Sequence, residues 1–358
     1  MNREDLKLLT QAARNAGAIA REFFYVGNAK KWNKEENHPV TEADIAVNDY
    51  LLKTLMNARP DYGWLSEETK DDASRHIAER SFVIDPIDGT RAFIDGKPHF
   101  TVCAAVIENG SPVSGVIYNP ITEEMFQAFL GGGTTLNGQP ITPSGCSNIK
   151  NCNIIGYPRK FKRLGWPDMN VSIRNSMAYR IAMVAAGMRD ATVSFTPKSD
   201  WDLAAAVIIA DEAGAVSTDL TGVPFIFDQE STKNNGVICA SPSLHALLLE
   251  QVNHGLTDYQ NKGRSKKKLE TSMSDHKEEK QIPDQLLHIV IGGELVDPLK
   301  TEFHDLSKVE FVGAFPSYES ARKAWKNAAQ RTVDNAHMRY FVLHAHHLID
   351  PDNDGVIG

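Results

Sequence analysis

Hydrophobic spacing along the first 250 residues switches between two periods. Over residues 4–26, Leu6, Leu9, Ala13, Ala16, Ala20, Phe23 and Phe24 recur every three or four positions, which predicts an amphipathic helix packed on a core. Ile45, Leu51, Leu52 and Leu55 predict a second helix over residues 42–57. Thr41 is a good N-cap for it, and Asp44 at its third position completes a capping box. Short runs at 62–66 and 81–84 predict buried strands. Residues 101–108, 113–119 and 125–130 read as consecutive antiparallel strands, with Asn109-Gly110 a tight-turn signal between the first two and Asn137-Gly138 another turn. Helices follow over 176–187 and 202–213, closed by Gly187 and Gly214. A strand near 236–240 and a helix over 243–252 complete this part.

The pattern then breaks. Residues 254–283 carry Lys266-Lys267-Lys268 and a mixed-charge run with almost no large apolar residue, the composition of a solvated linker. The expected organisation is a catalytic unit at 1–253, this linker, and a small α+β unit at 284–358. In the last unit, 286–291 and 309–315 read as strands, 317–332 as a helix capped by Ser317, and 338–348 as a final strand. Asp350-Pro351-Asp352-Asn353-Asp354-Gly355 matches half of an EF-hand loop, but the chain reaches Gly358 before the bidentate glutamate such a loop needs, so a polar tail is the expectation. Strand alternation puts His344 and His346 on one face and His347 on the other, which disfavours a three-histidine metal site. An interaction or oligomerisation role is expected for this unit.

Composition narrows the class. A net charge of −8 argues against a dominant nucleic-acid footprint, and the basic run Arg264–Lys268 is short. Four cysteines, Cys103, Cys146, Cys152 and Cys239, form no CxxC pair and read as buried reduced thiols of a cytoplasmic protein. No signal-peptide apolar region follows Met1, and no run is long enough to span a membrane.

Candidate chemistry concentrates in Asp85-Pro86-Ile87-Asp88-Gly89-Thr90. Pro86 holds Asp85 extended, Gly89 permits a sharp turn, and two carboxylates three positions apart can converge there on a hard cation such as Mg²⁺. Amides of Gly89 and Thr90, if they open a helix, face an anion. An ordinary Asp-rich turn is the competing reading. Further acids flank other element ends: Glu67 and Glu68 after the 62–66 strand, Asp202 as N-cap of the 202–213 helix, and Asp44 at the start of the second helix.

Taken in chain order, Pro39–Asp44, Ser66-Glu67-Glu68, Asp85–Thr90, Ser176 to Gly187, and Trp201-Asp202 through Gly214 resemble the inositol monophosphatase superfamily of Mg²⁺-dependent phosphomonoesterases, over about residues 4–252. The resemblance implies an α/β (α+β) fold, a layered αβαβα sandwich with the site between two sheets, and a homodimer. It implies that Glu67, Asp85 and the Ile87 carbonyl hold one Mg²⁺, and that Asp85, Asp88 and Asp202 hold a second. Gly89 and Thr90 would bind phosphate and place the attacking water, with Glu67 and Thr90 orienting or deprotonating it. Asp44 would lie near a third, weaker metal, and lithium should inhibit.

The resemblance implies a small phosphorylated metabolite as substrate. Lys34, Pro39–Asp44 and Phe100-Thr101-Val102 resemble the 3′(2′),5′-bisphosphate nucleotidase branch, with Lys34 a candidate contact to a second phosphate. That branch often carries a lysine where Ala178 stands here. Residues 85–94 look equally like the histidinol-phosphatase branch, and Val184–Gly187 like the inositol branch. Arg180 and Lys198 are candidate contacts around the leaving group. The expected order is bisphosphate nucleotide first, then inositol-1-phosphate or histidinol phosphate. A regulatory RNA- or transcription-associated binding protein on the same fold is the alternative of another class, disfavoured by the intact acids and the acidic net charge.

Overall fold

The computed structural model describes residues 1–27, 29–33, 39–71, 73–254, 288–296, 303–315, 318–332, 335 and 337–344. The chain divides into two compact units, Met1–Lys267 and Lys268–Gly358. The division falls inside the span read as a linker, of which residues 255–283 lie outside the described residues. Lys34, Ser317, His346, His347 and the Asp350–Gly355 run lie outside them as well. No described helix is long and apolar enough to cross a membrane.

The first unit is built on a seven-stranded sheet in the order Gly63–Ser66, Arg80–Asp88, Thr101–Glu108, Ser111–Asn119, Glu124–Phe129, Thr134–Leu136, Gln139–Pro140. The first pair is parallel and the rest are antiparallel. Away from its bulges, its strands alternate between two cores. Phe82, Ile84, Val102, Ala104, Val106, Val116 and Tyr118 face the helices Asn2–Val26 and Glu42–Ala58. Val83, Cys103, Ala105, Ile107, Ile117 and Phe126 face the helices Met177–Ala185 and Asp200–Ala213. This two-residue period is what a strand covered on both sides requires.

A second sheet, in the order Asn170–Ser172, Asn153–Ile155, Ala191–Ser194, Val237–Ala240, Val216–Thr218, closes the far side of that second helix pair. Ile155, Val237 and Cys239 join the inner core, while Ile154, Val193, Ile238 and Ala240 face outward to Leu244, Leu248 and Val252 of a helix over 242–254. The layers therefore run α, β, α, β, α, as the resemblance implied. Gly115 lets the Asp200–Ala213 helix lie close on the first sheet, because a Cβ there would stand 2.6 Å from Ile208 and 3.0 Å from the Ala205 carbonyl.

Two local expectations need correction. The strand read as 81–84 runs from Arg80 to Asp88, and the turn expected at Gly89 follows it. The helix read from Asp202 starts at Asp200 with Ser199 as N-cap, so Asp202 is its third residue. The turn signals hold: Asn109 and Gly110, and likewise Asn137 and Gly138, all have positive φ.

The second unit is a three-stranded antiparallel sheet ordered Glu310–Phe315, His288–Glu294, Met338–His344, with the helix Tyr318–Arg331. Trp325 on that helix donates its indole N–H to the Tyr340 carbonyl at 2.7 Å.

Candidate active site

The Arg80–Asp88 strand carries the centre of the site. In a regular strand, residues three apart point to opposite faces. Here Asp85 pairs with Cys103 and Asp88 with Thr101, so Pro86 and Ile87 together stand against the single residue Val102. This bulge inserts one extra residue and turns Asp88 to the same face as Asp85. Ile87 instead enters the core beneath the two N-terminal helices. Proline is tolerated at the bulge because no ladder N–H is needed from it.

Parallel register sets the next acid. Ser66 lies opposite Ile84, and the Glu67 N–H donates to the Ile84 carbonyl at 3.3 Å, so Glu67 leaves its strand beside Asp85. Glu67 sits in a turn rather than on the strand, so alternation does not decide its direction. Ser66 and Thr69 on either side of Glu67 are tied to Asn48 of the second helix, by Ser66 Oγ to Asn48 Oδ1 at 2.7 Å and Asn48 Nδ2 to Thr69 Oγ1 at 3.2 Å.

Asp88 caps the Met177–Ala185 helix. It accepts from the Ser176 hydroxyl at 2.6 Å and from the N–H groups of Met177 at 3.1 Å and Ala178 at 2.7 Å. Ser176 in turn accepts the Tyr179 N–H at 2.9 Å. Burial and the Asp202 charge push the Asp88 carboxyl up to about 6, even though the hydrogen bonds from Ser176 and the helix start favour its ionised form. Asp202 is positioned by a capping box: its carboxylate accepts the Ser199 N–H at 2.8 Å.

One oxygen each of Asp85, Asp88 and Asp202 lies within 4.8 Å of the others. Two oxygens across one hard cation are separated by about 4–5 Å. Asp85 is 2% exposed, and its Oδ1 is buried without a hydrogen bond among the described residues. Its carboxyl is raised well above the usual range by burial first, then by the charges of Glu67, Asp88, Asp202 and Asp44. A buried carboxylate oxygen with no donor, facing other acids, is the donor set a divalent ion satisfies. Glu67 stands outside the group of three but is the strongest charge acting on Asp85.

Asp44 forms the other wall. It accepts from the Thr41 N–H at 2.8 Å and the Thr41 hydroxyl at 2.6 Å, as the capping-box pattern predicts. The Thr90 hydroxyl lies 3.1 Å from Asp44 Oδ1 and 3.2 Å from the Ile87 carbonyl, so its one proton has two acceptors in reach. Burial pushes the Asp44 carboxyl up to about 6, and the nearby Glu68 charge adds to the rise. Gly89 caps the short helix Thr90–Ile94 at φ +101°, where a Cβ would stand 2.9 Å from the His99 carbonyl, so the turn requires glycine.

The remaining candidates are Arg180, on the Met177–Ala185 helix, and Lys198, just ahead of the Asp200–Ala213 helix. Arg180 is buried, donates from Nε to the Arg174 carbonyl at 2.6 Å and from Nη2 to the same oxygen, and lies 5.3 Å from the Tyr157 ring centre. Those partners tie it to the segment before Ser176. Lys198 is half-buried and opens a two-residue ladder opposite Asn234, just ahead of Ser199. The functional partners that sequence reasoning missed are those that hold acids in place: the Ser176 hydroxyl and Ala178 N–H on Asp88, and the Ser199 N–H on Asp202. A serine just before an apolar helical run was the legible signal for Ser176. Cys103, opposite Asp85, has its thiol raised far above the usual value by burial and the Asp88 and Asp85 charges, which makes it an unreactive wall.

A buried acid cluster between two sheets of an αβαβα sandwich defines a metal-dependent phosphoric monoester hydrolase. Residues 1–256 match the inositol monophosphatase family, and the chain belongs to that family. It is 31% identical over 266 residues to an inositol-1-monophosphatase of Mesorhizobium japonicum, covering 70% of this chain and 97% of that protein. It is 29% identical over 272 residues to a histidinol-phosphatase of Chlorobaculum parvum, covering 71% and 98%. The crystal structure of the extragenic suppressor protein suhB from Bartonella henselae superposes with a TM-score of 0.62 at 27% identity, covering 70% of this chain and 98% of that one. Residues 286–345 match a domain of unknown function, DUF4170.

Proposed function

We propose that the first unit hydrolyses the phosphate monoester of a small polyol or amino alcohol with Mg²⁺, inositol-1-phosphate and histidinol phosphate being the two leading substrates. The observation that carries the reaction is the convergence of Asp85, Asp88 and Asp202 around an Asp85 oxygen that no donor among the described residues satisfies. An all-oxygen, carboxylate-rich donor set favours Mg²⁺ over softer ions. Glu67, Asp85 and the Ile87 carbonyl would hold one ion, and Asp85, Asp88 and Asp202 another. Bound there, divalent ions neutralise phosphate charge and lower the pKa of water.

The chain's own groups do the rest. Asp44 and Thr90 form a proton path: a water beside Thr90 gives its proton to the hydroxyl as Thr90 passes its own to Asp44. Glu67 orients that water. Gly89 and Thr90 present backbone to the phosphate. Asp88 and Asp202, each pinned by backbone N–H donors, keep their geometry while charge moves.

The relatives named for inositol-1-phosphate and for histidinol phosphate support the two leading substrates about equally. The 3′(2′),5′-bisphosphate nucleotide ranks behind them. Neither relative reported above is named for that substrate, and Arg180 is engaged by Arg174 and Tyr157. A phosphate-release screen with Mg²⁺ over all three compounds tests this order. Highest kcat/KM on the bisphosphate nucleotide would reverse it, and no turnover on any phosphate monoester would remove the enzymatic reading. Cytoplasmic location and a homodimeric first unit belong to the same proposal.

A further inference from the structure

The two sides of the acid cluster come from distant parts of the chain: Glu67 follows the Gly63–Ser66 strand, and Asp202 is the third residue of the Asp200–Ala213 helix. We propose that Arg75 is a positioning residue that ties these two sides together and so sets the metal affinity of the site. This rests on the metal-site reading above.

Among the described residues Arg75 is the largest fully buried side chain, at 0% exposure. Its guanidinium donates from Nε and Nη2 to Asp71 at 3.1 and 3.0 Å, from Nη2 to the Gln229 carbonyl at 2.9 Å, and from Nη1 to Asp228. Asp71 lies in the loop that begins at Glu67. Asp228 and Gln229 lead into Lys233–Asn234, which pairs with Lys198–Ser199. From there every link to Asp202 is a hydrogen bond. Asn234 Nδ2 donates to Asp200 at 2.8 Å, Lys233 Nζ to Ser199 Oγ at 2.7 Å, and the Ser199 N–H to Asp202 at 2.8 Å. The Arg75 backbone is wedged too, since a Cβ on Gly63 would stand 2.6 Å from the Arg75 Cα.

Energetics point the same way. A buried ion pair is weak as a source of stability, because desolvation offsets most of the attraction. A four-bond planar fork is strong as a geometric constraint. Acids that repel one another before an ion arrives need such a constraint to stay at ligand distance. Partners that orient metal ligands cost on the order of 10- to 100-fold in metal affinity when lost.

The test is Mg²⁺ binding to EDTA-stripped full-length protein by titration calorimetry, paired with the Mg²⁺ dependence of turnover, for wild type, Arg75→Met, Arg75→Lys and Asp228→Asn. Asp228→Asn keeps the guanidinium and guards against a Met variant that fails to fold. The expected result is Mg²⁺ affinity about tenfold or more weaker in Arg75→Met and Asp228→Asn, with kcat at saturating Mg²⁺ largely kept and Arg75→Lys in between. Wild-type affinity in a folded Arg75→Met or in Asp228→Asn, with only a lower melting temperature, would overturn the proposal. Absence of Mg²⁺ uptake by wild type would instead overturn the metal-site reading itself.

Discussion

The Thr90 hydroxyl stands 3.1 Å from the Asp44 carboxylate, joining the turn after the acid-bearing strand to the start of the second helix. Asp44 is held on its other oxygen by both the hydroxyl and the N–H of Thr41. In the proposed reaction a threonine poised this way carries a proton rather than a metal. Thr90→Val keeps the shape and removes the hydroxyl, so kcat should fall by about 10²-fold or more while Mg²⁺ binding stays within a few-fold of wild type. Steady-state kinetics with a parallel metal titration reads both. A Thr90→Val enzyme with undiminished kcat would remove Thr90 from the proton path.

Asp85 gives the sharpest contrast between activity and stability. Its buried, undonated oxygen faces the charges of Glu67, Asp88 and Asp202. Asp85→Asn removes a charge from that group and adds a donor to its acceptors. Turnover should drop below detection, while the melting temperature in EDTA at pH 8 should rise. A lower melting temperature there would mean that the carboxylate stabilises the metal-free fold, contrary to the electrostatics.

The pH dependence follows from the same cluster. Asp44 and Asp88 have folded-state values raised to about 6, against about 3.9 for an unperturbed aspartate. A raised carboxyl means that the native state binds the proton more tightly than the unfolded chain. Metal-free stability is therefore highest near pH 4 and falls as pH climbs through about 6, by roughly 2 kcal/mol or more for each such group. Bound cations cancel the repulsion, so the gap in melting temperature between Mg²⁺ and EDTA samples should widen from pH 5 to pH 8. A gap independent of pH would separate ion binding from these acids.

Ser176 joins two helix-start devices in one oxygen, donating to Asp88 and accepting from Tyr179. Ser176→Ala should destabilise the fold by about 1–3 kcal/mol in urea titrations and weaken turnover, because both a cap and a donor to a buried acid are lost. Ser176→Thr, which keeps the hydroxyl, should recover most of the stability.

The second unit has a sheet and a helix of its own. A chain truncated at Tyr259 should retain phosphatase turnover close to that of the full protein. Complete loss would assign the DUF4170 segment a part in catalysis or in keeping the first unit folded.

Much of this was legible in the chain. Helical and two-residue spacing located the layers, because strands covered on both faces and helices covered on one leave distinct periods. The capping box of Thr41 and Asp44 also read directly, since it is local. The bulge at Pro86 and Ile87 was not legible, because it exists only against Val102 on the neighbouring strand. Asp202 was read one cap too late, because Ser199 and Asp200 are equally good cap residues and only the Ser199 N–H bond to Asp202 decides between them. Arg75 gave no signal at all. A lone arginine in a polar loop reads as exposed until the fold brings Asp228 and Gln229 to it.

An anomalous difference map from crystals of the full chain soaked with Mn²⁺ bears most directly on the site. The expected result is at least one peak within about 2.3 Å of oxygens from Asp85, Asp88 and Asp202, with a second beside Glu67 and the Ile87 carbonyl. A map with Mn²⁺ bound only elsewhere, or with none at these carboxylates at millimolar ion, would contradict the account.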